Sequence, residues 1–91
     1  MLTRTPKDVT AAVRAFARAV KLVADMESMP ASHPQSEYHA KEYLQEMETL
    51  LLHQLLTAFP GNAERDEVLS DFGLDYLAWR MHIMAEVWEE E

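Results

Sequence analysis

Three breakers cut this chain, and the stretches between them repeat with the period of a helix. PASHPQ covers residues 30–35, PGN covers 60–62, and Gly73 stands alone near the C-terminus. Pro30 disfavours helical geometry in Met29 before it, and Pro60-Gly61 is the strongest stop in the sequence. No stretch alternates apolar and polar residues over a useful length, so strands are not expected. The spacing predicts an all-α fold with helices over about 6–29, 33–59, 63–72 and 76–89. Three of these are long and one is a short connector, together a small helical bundle in a single domain.

Local chemistry supports each boundary. Thr5 can cap the first helix, Pro6 suits its first position, and Asp8 places an acid in the first turn. Val9, Val13, Phe16, Val20 and Val23 then form one stripe at steps of four and three. Six alanines between positions 11 and 24 keep the flanks thin enough for another backbone to approach. Ser32 with Gln35 reads as a capping box for the second helix, with Pro34 tolerated in its first turn. Asn62 can cap the third helix and Asp75 the fourth. Gly73 reads as a left-handed stop with Leu74 folding back, although an unbroken helix through it would cost only about 1 kcal/mol. On the last helix Leu74, Leu77, Met81, Met84 and Trp88 make the main stripe, and Tyr76, Trp79, Ile83 and Val87 a second apolar flank.

LLLHQLLTAF, residues 50–59, is apolar nearly all round, and so is most of the last helix. A helix apolar on every side must be covered on every side. A chain of 91 residues with no cysteine has no disulfide to compensate for a small core. The two greasy segments carry more apolar surface than antiparallel neighbours in one copy are expected to hide. The expected remedy is a homodimer or higher homo-oligomer whose interface uses Leu51, Leu52, Leu55, Leu56, Phe59, Trp79, Ile83 and Trp88.

Charge is unevenly laid out. Arg4, Lys7, Arg14, Arg18 and Lys21 face Asp8 alone in residues 1–24, a net +4, while residues 25–91 carry −12, for −8 in all. Phosphate backbones need clustered cations, so direct nucleic-acid binding is not expected, whereas a basic protein surface is a fitting partner. No apolar run reaches the ~20 residues of a membrane span and the N-terminus lacks a secretory core, so no membrane association and a cytoplasmic location are expected.

Candidate sites follow from residue type and spacing. Arg14, Arg18 and Lys21 share one face and could hold an anionic, nucleotide-like ligand, though pairing with the protein's own acids on the second helix explains them without one. Glu42, Glu46, Glu64, Asp66, Glu67 and Asp71, with Glu37, Glu48, Asp75 and the tail Glu89 to Glu91, could present rows of negative charge to a basic groove. His39, Glu42 and Glu46 share a helix face, as do His82 and Glu86. The paired Glu-x-x-His of di-iron bundles and the His-Glu-x-x-His motif are both missing, so these are weak metal candidates and no cofactor is expected. His53, flanked by leucines, is expected at an interface or in the core. The triplet DFG at 71–73 matches the kinase metal-binding triplet, but a helical chain of this length cannot hold that fold. With no glycine-rich phosphate loop and no nucleophile motif, the expectation is a non-enzymatic interaction protein. An inhibitor or adaptor of the type carried by phages or mobile elements fits its size and charge.

Overall fold

The helices pack as a flattened bundle whose shortest extent, 20 Å, is about two helix diameters. The computed structural model describes residues 6–28 and 34–90, and its elements are α1 (Lys7–Ser28), α2 (Pro34–Ala58), α3 (Asn62–Asp71), a single 3-10 turn (Asp75–Leu77) and α4 (Ala78–Glu90). No strand occurs among the described residues. The capping roles expected of Thr5 and Ser32 lie outside the described residues, as do Glu91 and the side chains of Gln35, Glu37, Glu89 and Glu90. Principal extents of 45 × 31 × 20 Å go with a radius of gyration of 14.6 Å, larger than the ~12 Å of a fully packed chain of this length.

α1 lies along α2, and the seam differs from the valine stripe read from the sequence. Its buried residues are Val9, Ala12, Phe16, Ala19 and Val23, while Val20 is 41% exposed and Val13 is half-buried. The alanines fill the seam because their small side chains let the two backbones lie close, and Val20 is rotated outward in consequence. Pro6 also sits one position earlier than expected. It precedes α1, and its carbonyl accepts the Thr10 N–H at 3.1 Å, so it caps the helix from outside.

α2 runs through the middle, and its C-terminal half is covered within one copy. Leu51, Leu52 and Leu55 are at most 1% exposed and Phe59 is buried, in one cluster with Val9, Phe16, Val68, Leu69, Leu77 and Met81. Leu56 is half-buried against the same cluster. The expectation that Leu51, Leu52, Leu55 and Phe59 form an oligomer interface is therefore corrected, because α1 and the α3–α4 side together enclose these four.

The turn from α2 to α3 is braced by a buried cation. Arg65 Nε donates to the Phe59 carbonyl at 2.9 Å and Nη1 donates to Asn62 Oδ1 at 2.7 Å. Asn62 is accordingly not the cap expected of it. Gly61 holds the cap position in extended geometry, and Asn62 begins the helix with its side chain committed to Arg65. α3 ends as its glycine predicts. Gly73 has φ +72°, its N–H reaches the Ser70 carbonyl at 3.0 Å, and the Leu74 N–H reaches that of Leu69 at 2.7 Å. This pair of bonds is the Schellman closure, and Leu74 folds back onto the core. Asp75 then opens the 3-10 turn without a side-chain cap bond, in place of the capping role expected of it. From the 3-10 turn into α4 the buried line is Leu77, Met81 and Ala85. Trp88, expected on that line, is half-exposed, and its ring meets that of His53 edge-on at 5.6 Å.

Candidate functional site

The acids expected to form a charged face fall into two groups. Asp66 is engaged by His82, whose Nε2 lies 2.9 Å from both carboxylate oxygens, and this joins α3 to α4. Glu67 is also engaged within the chain. Glu42, Glu46, Glu64 and Asp71 are exposed. Glu42 lies 3.7 Å from His39 Nδ1, and among the described residues Glu46, Glu64 and Asp71 have no ion-pair partner. Two of these four acids are on α2 and two on α3.

The cations beyond α1 do not offset them. Of the three, Lys41 is engaged within the chain, Arg65 is inside the α2–α3 turn, and Arg80 Nη1 donates to Glu48 Oε2 at 2.8 Å. Glu48, a buried carboxylate, thus ties α2 to α4. The Tyr76 phenol is pushed above its ordinary value, first by desolvation and then by the Glu48 charge.

The basic stripe of α1 is not paired with α2 as expected. Lys21 Nζ instead bonds Asp25 Oδ2 at 2.9 Å, one turn along its own helix. Arg14 and Arg18 are exposed and have no ion-pair partner among the described residues. Each lies two positions from Phe16, about 200° round the helix, so both point away from the seam and from the acids across it.

The histidines separate in the same way. His39 and Glu42 approach each other, but no three His, Asp or Glu side chains among the described residues converge as a metal site requires. The weak candidate trio of His39, Glu42 and Glu46 does not converge among the described residues. His82 pairs with Asp66 across helices, where its own-helix spacing had suggested Glu86. His53 is exposed and set against Trp88, which removes the core alternative expected for it.

The most conspicuous uncovered surface is the outer face of α4 with the turn before it. Tyr76, Trp79, Ile83 and Val87 are between 52% and 65% exposed. A groove of about 450 Å³ runs beside them, lined by Leu52, Trp79, Arg80, Ile83, Met84 and Val87. Trp79 and Ile83, expected at an interface, thus share one free face, while Trp88 turns toward α2. Three interactions escaped the sequence: Arg65 with Phe59, Arg80 with Glu48, and His82 with Asp66. The last two join residues 32 and 16 positions apart, and no local spacing announces them.

No described helix is long and apolar enough to cross a membrane. Compared with protein-family models, with curated proteins and with solved structures, the chain matches none.

Proposed function

We propose that this chain is a non-enzymatic, acidic helical interaction protein that self-associates and binds a basic partner protein in the cytoplasm, as an inhibitor or adaptor does. One observation carries the proposal: Glu46, Glu64 and Asp71 are exposed and have no ion-pair partner among the described residues, while Arg65 and Arg80 are committed to Phe59, Asn62 and Glu48 and Lys41 is also engaged within the chain. An exposed carboxylate left unpaired attracts a cationic surface at long range and loses that attraction as salt screens it. Nucleic acid is a poor partner for the same surface.

The test is capture from a lysate of the source cells, compared with a variant carrying Glu42→Gln, Glu46→Gln, Glu64→Gln and Asp71→Asn. A retained protein with a basic surface, released by salt and lost with the variant, supports the proposal. Equal retention by both forms, or a retained partner that ignores salt, contradicts it.

A second proposal has its own observation in the two unpaired arginines. Arg14 and Arg18 stand one helical turn apart, exposed, and could hold an anionic, nucleotide-like ligand. Nucleotides or inorganic phosphate would then raise the melting temperature, and Arg18→Glu would abolish the rise. No shift with any anion removes this second proposal.

A further inference from the structure

We infer that the outer face of α4 is the surface through which two copies of this chain dock, antiparallel, about a two-fold axis passing beside Ile83. The inference rests on the self-association proposed above and assigns it a surface.

α4 is apolar twice over. Leu77, Met81 and Ala85 face the core, while Tyr76, Trp79, Ile83 and Val87 line the opposite side at steps of three, four and four. The outer stripe contains no charged residue. With roughly 150–250 Å² for a whole aromatic side chain and somewhat less for Ile and Val, its exposed part comes to on the order of 400–500 Å². That is toward the upper end of the largest patch a typical monomer leaves in water, roughly 300–600 Å². A stable dimer needs about 800 Å² from each partner. The stripe supplies about half, and the groove beside it, with Met84 and Arg80 on its wall, extends the same surface.

From Trp79 to Val87 the stripe is also complementary to itself. When two such helices run antiparallel about Ile83, each position faces the one equally far on the other side. Ile83 meets Ile83, and Trp79 of one copy meets Val87 of the other. Large rings are thus set against small side chains, the arrangement that lets facing layers interdigitate. The nearest cation, Arg80, is already held by Glu48 of its own chain at 2.8 Å, so it brings no free charge to the contact. Glu86, exposed on the other edge, lies on the same side of the pair as its counterpart. That repulsion, and the −8 on each chain, is screened over about 8 Å at physiological ionic strength. Docking of copies therefore holds or tightens as salt is added, the reverse of what a basic partner shows.

Sedimentation equilibrium on the purified chain, from low to high micromolar concentration, tests the inference. The wild type is expected to reach twice the 10.5 kDa of the chain. Ile83→Glu, more than half exposed in one copy, is expected to keep its helical circular dichroism while association weakens ~100-fold or more, because the contact would bury a charge. The chain has no cysteine, so Ile83→Cys provides a unique probe and is expected to oxidise to a disulfide-linked dimer. A wild type that stays at 10.5 kDa throughout overturns the inference and the self-association with it. A wild type that doubles while Ile83→Glu doubles equally overturns the α4 surface alone. A monomeric wild type that retains a foreign protein through Ile83 also overturns it.

Discussion

The C-terminal half of α2 and the outer face of α4 look alike as sequence and differ completely in surroundings. Both are apolar around most of the helix. Leu51, Leu52 and Leu55 are enclosed in one copy, whereas Trp79, Ile83 and Val87 stay more than half in water. Position in the bundle makes the difference. α2 has α1 along one side and the α3–α4 side against the other, while α4 lies at the edge with neighbours on one face only. Apolar composition alone therefore does not announce an interface. What matters is whether the chain returns enough helices to that side.

The sharpest way to break the comparison is truncation on the two sides. Leu55→Ala is expected to cost about 3 kcal/mol, because it opens a cavity among fully buried neighbours. Urea denaturation at low protein concentration, where copies are apart, measures it. Ile83→Ala under the same conditions is expected to cost less than about 0.5 kcal/mol, as surface changes do. Similar losses at both positions would show that the two regions are equally buried.

A smaller effect is expected where the two regions are joined. Arg80→Ala leaves the buried Glu48 carboxylate without its cation. Arg80 itself is about half exposed, so the several kcal/mol typical of a broken buried pair is discounted to about 1–2 kcal/mol. Glu48→Gln combined with Arg80→Ala should recover part of the loss, which a double-mutant cycle reads directly. Additive losses would remove the pair from the link between α2 and α4.

Gly73→Ala comes next, at about 1 kcal/mol. Its φ of +72° disfavours a side chain, yet nothing lies within 4 Å of an added Cβ, so the cost is conformational and not a clash. A neutral substitution would mean that the helix runs on through residue 73. The smallest effect belongs to the basic stripe. Lys21→Ala removes one exposed pair on α1 and should change stability by less than about 0.5 kcal/mol, with the loss shrinking in high salt.

What could be read from sequence divides along a physical line. The stop at Gly73 was legible because its cause is local, a backbone conformation that glycine adopts without strain. The inner face of α1 was half legible. Val9, Phe16 and Val23 were in the stripe, but Ala12 and Ala19 fill the seam because α2 comes close, which the spacing of larger residues hides. The enclosure of Leu51, Leu52 and Leu55 was not legible at all, since it depends on helices returned from distant parts of the chain. The same holds for the candidate site. Which acids lack an ion-pair partner depends on where the cations of the chain are held, as Arg65 and Arg80 are by Phe59 and Glu48, and Asp66 leaves the charged face because His82 reaches it from the next helix.

Residue-resolved oxidative footprinting across a dilution series tests the contrast most directly. Leu51 and Leu55 should stay protected at every concentration, while Trp79 and Ile83 should react freely in the dilute chain and become protected only as copies dock. Leucines that react in the dilute chain, or a Trp79 shielded at every dilution, would contradict it.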